Sequence, residues 1–228
     1  MAHPPKIAVI LAGCGHMDGS EVREAVLTLL ALDQHGAEVQ CLAPDASQFH
    51  VIDHAKGEPE AGAIRNLLAE SSRIARAGNC QDLAGADPAS FDALFLPGGF
   101  GVAKNLCTFA LAGPAGTVRP DLKAFVQAFF AAGKPVGAVC IAPALVAMIL
   151  ADSDRHATLT LGNDPASSAA VEKLGARHKA VATAREIVVD DGNNLVTAPA
   201  YMFGDARLSD VWIGIERCVA EVVRRAGQ

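Results

Sequence analysis

The 228 residues predict an α/β fold: a mostly parallel, doubly wound sheet with helices on both faces. Three observations lead there. Short continuous apolar runs at 6–12, 91–96 and 135–139 read as strands buried on both faces. Segments of helical spacing separate them along nearly the whole chain. Aromatic residues make up only 5% of a chain that is 51% hydrophobic, so Ala, Val, Leu and Gly carry the core, as suits a tight sheet covered by helices.

The elements follow in order. Lys6–Ala12 is the first strand, ended by Gly13. Apolar residues at 22, 25, 26, 29, 30 and 32 make 20–35 a helix with Gly36 as its C-cap. Glu38–Ala43 is a strand stopped by Pro44, which completes a βαβ unit. Residues 48–59 are polar, with a small projecting hairpin around Gly57, and 61–77 is helical. Phe91–Leu96 is a strand broken by Pro97-Gly98-Gly99. A helix at 121–132, a buried strand at 135–139 and a helix at 141–150 come next. A strand at 157–161, a helix at 167–174, a hairpin at 186–197 turning near Gly192 and an amphipathic helix at 207–225 close the chain. No linker or repeat interrupts residues 1–228, which are expected to form one domain.

Composition narrows the function. The formal net charge is −6 and no Lys/Arg run interleaves with aromatics, which argues against a nucleic-acid partner. No apolar run is long enough to span a bilayer, so no membrane role is expected. The first residues lack the apolar core of a secretory signal, and a cytoplasmic location is expected. The six cysteines then read as thiols. They form no C-x-x-C pair and the histidines show no ligand spacing, so no metal is expected.

In doubly wound sheets ligands bind at the carboxyl ends of strands. Cys140 sits at such an end, between a buried strand and a helix whose first turn accepts Pro143. That is the layout of a nucleophile elbow, where the helix N-terminus should lower the thiol pKa. A buried structural cysteine is the plain alternative, and the elbow context outweighs it. Pro97-Gly98-Gly99 is either a tight turn or a nest of N–H groups for an oxyanion, with the Ile141 N–H as second donor. Asp18 and Glu21 fit a capping box. Glu24, one turn on, has no capping duty; it reads as a solvated carboxylate or as a proton shuttle. Cys14, between two glycines, and His16 stand near another strand end, where packing and plain exposure are the simpler readings.

The order strand–Gly–Glu helix, Pro-Gly-Gly, strand–Cys–helix resembles the ThiJ/PfpI superfamily, relatives of the class I glutamine amidotransferases. The segments 13–21 (GCGHMDGSE), 97–105 (PGGFGVAKN), 140–143 (CIAP) and 197–202 (TAPAYM) are similar to its ElbB branch, which is associated with isoprenoid biosynthesis and with glyoxalase activity. The resemblance implies a flavodoxin-like three-layer sandwich and a homodimer. It implies Cys140 as nucleophile, a protonated Glu24 beside it and oxyanion donors at Gly99 and Ile141. It adds Gly98, Asn105 and Tyr201, with Cys14 and His16, as site-lining positions. The departures matter. No histidine lies in 201–212, which disfavours glutamine hydrolysis, and Ile141 replaces the histidine that follows the nucleophile in protease-like members. Residues 159–162 offer no histidine either, leaving His156 as the nearest. The expected activity is a glyoxalase acting on a small dicarbonyl without cofactor, metal or glutathione. The alternative is a cysteine-based redox sensor or stress-response binding protein.

Overall fold

A computed structural model describes residues 3–227. The strands are β1 (Lys6–Ile10), β2 (Glu38–Ala43), β3 (Ile52–Asp53), β4 (Glu58–Pro59), β5 (Cys80–Asp82), β6 (Ala93–Leu96), β7 (Val136–Val139), β8 (Thr158–Leu159), β9 (Arg177–His178), β10 (Val188–Asp190) and β11 (Leu195–Ala198). The α-helices are α1 (Val22–Gln34), α2 (Leu67–Ala75), α3 (Phe109–Ala112), α4 (Pro120–Ala131), α5 (Ala142–Leu150), α6 (Pro165–Glu172) and α7 (Leu208–Ala226). Seven strands form the main sheet in the order β10-β11-β7-β6-β1-β2-β5. All neighbours are parallel except the β10–β11 hairpin. The fold is a flavodoxin-like α/β sandwich, as the alternation of apolar runs and helices predicts.

Residue parity along the strands builds two cores. Ile7, Val9, Leu11 and Phe95 face one way and pack with α1, α2 and α7. Ala8, Ile10, Leu94, Leu96 and Ala138 face the other way, against α4 and α5. The central strands β1, β6, β7 and β11 have no solvated face, which is why their sequences do not alternate. All nine residues of α5 are buried, so the helix that follows Cys140 is fixed from every side. The chain builds β1, β2 and β5 in one direction, then β6, β7 and β11 in the other. The switch falls between β1 and β6, and the crevice at their carboxyl ends receives the loops after β1, β6, β7 and β11.

Several elements differ from expectation. The helix expected at 61–77 begins only at Leu67, because Asn66 caps it by accepting the Ala69 N–H at 2.9 Å. The edge strand β5 was not foreseen: it is three residues long and two of them are polar. The strand expected at 157–161 does not join the main sheet. Its two residues pair with β9 in a separate ribbon. The Asp18–Glu21 capping box does not form. Glu21 is itself the N-cap of α1, accepting the Glu24 N–H at 2.6 Å, while buried Asp18 accepts the Ile52 N–H at 2.7 Å.

The long helix α7 packs on α1 and on the sheet through Val211, Gly214, Ile215, Cys218, Val219 and Val222, a stripe of 3.6-residue period. Replacing a mid-helix glycine by alanine ordinarily stabilises by about 1 kcal/mol. At Gly214 the sign should reverse, because a Cβ would run into the Ala184 carbonyl oxygen. Gly214→Ala is expected to lose about 1–3 kcal/mol, read as a lower urea midpoint. A midpoint at or above that of the wild type would refute the close approach.

Candidate active site

The chain passes from β7 into α5 through Cys140, whose φ of 59° lies in the left-handed region. A non-glycine residue there is strained and persists only where its surroundings hold it. Two features do so. The Cys140 N–H donates to the Ala198 carbonyl at 3.0 Å, and α5 begins two residues later with Pro143 in its first turn. This strand–turn–helix is a nucleophile elbow, and it presents Cys140 Sγ above the carboxyl edge of the sheet.

Glu24 meets Cys140 from α1. Its side chain is fully buried, although its neighbours on the helix at 22, 23 and 26 are exposed. Oε2 accepts the Gly98 N–H at 3.1 Å and Oε1 accepts the Tyr201 N–H at 3.1 Å. The carboxyl lies beside the Cys140 thiol: a Cβ placed on Gly98 would touch both Glu24 Oε2 and Cys140 Sγ. The approach depends on Gly98, because a Cβ there would collide with Cys140 Cβ and Glu24 Oε2. Gly99, at φ 108°, lies so close to Gly19 and Glu21 that no side chain fits. Backbone bonds lock these loops together: Glu21 N–H to Gly98 O at 2.9 Å, Gly101 N–H to Gly19 O at 2.8 Å, and Phe100 N–H to His16 O at 2.8 Å. The start of α1 and the turn after β6 are therefore one rigid block.

Burial pushes the Glu24 carboxyl up to about 8, against the Tyr201 and Gly98 N–H groups and the neighbouring Cys140 thiol, which favour the anion. Burial also pushes the Cys140 thiol up, and the Glu24 carboxylate adds to that push. The N–H groups of Gly99 and Ile141 pull the other way. The expected lowering of the thiol pKa is thus reversed. The helix N-terminus acts with the anticipated sign, but Cys140 is only 8% exposed and faces a carboxyl instead of a cation. At neutral pH the pair holds both protons. It gives up the first near pH 8, from Glu24, and the second stays on the sulfur.

Above the pair opens a cavity of about 390 Å³. Cys140, Gly99 and Ile141 form its floor, and His16 and Tyr201 stand in its wall as anticipated. Gly98 lies beneath the pair. Two expected lining positions are elsewhere. Asn105 ties loops together, donating to Ala12 O at 3.0 Å and Asp18 O at 2.8 Å and accepting the Phe49 N–H at 2.9 Å. Cys14 is half-buried on the side facing Glu70, Arg65 and Arg73, where burial raises its thiol pKa. His156 does not reach the cavity and bonds to Gly175 O at 3.0 Å. Sequence reasoning missed Glu21, Phe100, Ser167 and Met202 as wall residues. It also missed the Tyr201 backbone as a holder of Glu24. The positive φ of Ala200, 42°, turns that N–H inward, and an alanine gives no sign of it in sequence.

Comparison with known proteins agrees with this geometry. The chain is 42% identical over 232 residues to the Homo sapiens glutamine amidotransferase-like class 1 domain-containing protein 3, mitochondrial, covering 98% of this chain and 84% of that protein. It is 40% identical over 232 residues to the Rattus norvegicus ES1 protein homolog, mitochondrial, covering 98% of this chain and 85% of that one. Among solved structures, an isoprenoid biosynthesis protein with amidotransferase-like domain from Ehrlichia chaffeensis superposes with a TM-score of 0.87 at 41% identity, over 96% of this chain and 99% of that one. The mitochondrial names of these relatives overturn the cytoplasmic location expected above. Mitochondrial import is directed by amphipathic, Arg-rich segments, so the lack of an apolar secretory core had no bearing on it. Residues 6–204 match the model of the DJ-1/PfpI family, with the thiol at the elbow and the carboxyl on the first helix, and the chain belongs to that family.

Proposed function

We propose that the protein is a cofactor-independent glyoxalase that converts a 2-oxoaldehyde and water into a 2-hydroxy acid. The observation that carries the reading is the buried Cys140–Glu24 pair, a thiol beside a carboxyl, beneath a cavity with two N–H donors at its floor. In the singly protonated pair the Glu24 carboxylate takes the thiol proton as Cys140 Sγ adds to the aldehyde carbon, forming a C–S bond. The N–H groups of Gly99 and Ile141 hold the developing oxyanion. That oxygen takes the proton from Glu24, giving a hemithioacetal and a Glu24 carboxylate. The carboxylate removes the hydrogen on C1 and returns it to C2 through an enediol. The product is a thioester of the 2-hydroxy acid on Cys140. Water cleaves it, releasing the acid and restoring the thiol. The carbon skeleton is oxidised at C1 and reduced at C2, so no external redox partner is needed.

The pair suits this sequence because Glu24 must accept and release a proton in turn, and a pKa of about 8 allows both near neutrality. The redox-sensor alternative has less support. Sensor thiols are acidic and exposed, whereas burial raises the pKa of Cys140 and leaves it 8% exposed. A homodimer remains part of the reading, supported by the exposed stripe Val22, Val26 and Leu30 on the outer face of α1.

Acid release from glyoxal and methylglyoxal, measured without glutathione or metal, tests the proposal. Cys140→Ala should abolish it. Glu24→Gln should lower kcat by about 10²–10⁴-fold, the usual worth of a general acid–base group. Full turnover in either folded variant would sink the mechanism.

The pH dependence is a separate test. The active form lacks one proton of the pair, so kcat/KM should climb about tenfold per pH unit from pH 6 and level off above about 8. Iodoacetamide alkylation of Cys140 should follow the same curve. A plateau already complete at pH 6 would show an unperturbed pair.

A further inference from the structure

We propose that the 2-oxoaldehyde taken at Cys140 carries an apolar group of about ring size and no negative charge, and that methylglyoxal is smaller than the molecule the cavity is shaped for. This inference rests on the glyoxalase reading for its chemistry, and on the cavity for its substance.

Size is the first observation. The cavity holds about 390 Å³, which falls in the range of roughly 300–1,000 Å³ that encloses drug-sized ligands. At about 30 Å³ per water, that space admits about a dozen waters. Methylglyoxal, with a three-carbon skeleton, displaces only about four by the same measure. Bound alone it would leave most of the volume wet, and the remaining water competes for the enediol.

The character of the wall is the second observation. Beside Cys140 stand Ile141, Met202 and the Tyr201 ring, with Phe100 at the mouth, 52% exposed. An exposed phenylalanine on a rigid glycine turn is free to cover an apolar group. Methionine adapts to irregular shapes. The reactive end of any substrate is fixed by Cys140 and the N–H donors at the floor, so these side chains meet the substituent on C2.

Charge is the third. Among the described residues no Lys or Arg lines the cavity, and Glu21 places a carboxylate in its wall. Oε2 of Glu21 is engaged by the Glu24 N–H as the helix cap. The nearby guanidinium of Arg23 donates to the Tyr201 hydroxyl at 3.1 Å from outside. Lys104 Nζ lies 5.2 Å from the Phe100 ring but is not part of the lining. A phosphate or carboxylate inside the cavity therefore meets the Glu21 carboxylate and no lining cation, whereas a neutral or cationic group is accepted.

The test compares methylglyoxal, phenylglyoxal and 4-carboxyphenylglyoxal as substrates of the full chain. Phenylglyoxal is expected to exceed methylglyoxal at least tenfold in kcat/KM, mostly through KM, since each well-buried methylene is worth about tenfold or more. The carboxylated ring should fall at least tenfold below phenylglyoxal, and Glu21→Gln, which keeps an oxygen for the helix cap, should recover most of that loss. Met202→Ala should raise KM for phenylglyoxal and leave that for methylglyoxal unchanged. Methylglyoxal turning over as well as phenylglyoxal would overturn the inference while leaving the glyoxalase reading intact.

A second measurement separates the two when turnover is absent. Cys140 is alkylated with 2-bromoacetophenone and with bromoacetone, each rate divided by that of free cysteine. At least a tenfold preference for the phenyl reagent would sustain the cavity inference even if no glyoxal were consumed, and only the glyoxalase reading would fall. Equal normalised rates would overturn the inference.

Discussion

The arrangement of this site depends on one contact, the close approach of a fully buried carboxyl to a thiol with no cation beside either. An ionised carboxylate without a positive partner is costly to bury. Here the cost is met by two backbone N–H groups, from Gly98 and Tyr201, and by keeping a proton on the carboxyl up to about pH 8. Each of those donors sits on an unusual piece of backbone. Gly98 tolerates no side chain, and Tyr201 follows an alanine with positive φ. The glycine loops, the left-handed Cys140 and the interlocked turns after β1 and β6 are the conditions under which Glu24 and Cys140 can touch.

That arrangement has a consequence for folding. An unfolded chain releases the Glu24 proton near its ordinary value of 4.5, whereas the folded chain holds it to about 8. The folded state binds more protons between those limits, so this group's contribution to stability is complete below 4.5 and declines as the pH rises toward 8. The pH at which the pair releases a proton is thus also the pH at which its contribution to the fold declines.

Much of this was legible in the sequence, for identifiable reasons. The buried strands and the helices between them are written in residue periodicity, and the elbow in the junction of an apolar run, Cys140 and Pro143. Glu24 stood out because it lay one turn beyond the capping position, although spacing alone could not separate a buried carboxyl from a solvated one. The rest depends on what surrounds a residue in space. The sign of the Cys140 shift followed from burial and from the charge facing it, neither of which the local sequence records. Asn105 shared a segment with the glycine turn, yet its amide is spent on tying loops. The strand β5 and the ribbon of β8 and β9 are too short and too polar to show a period. Ala200 owes its left-handed backbone to the tertiary fold.

The origins of the cavity's parts divide the protein in another way. Its floor, Cys140 with the Gly99 and Ile141 amides, belongs to strand ends clamped by the sheet and by a helix buried on all sides. Its walls come from separate stretches of chain: His16 after β1, Phe100 after β6, Ser167 in the first turn of α6, Met202 after β11. Mutation in those stretches can reshape what enters without disturbing the proton held below. A lineage built on this plan inherits its reactivity as a fixed unit and acquires its preferences piecemeal, one loop at a time.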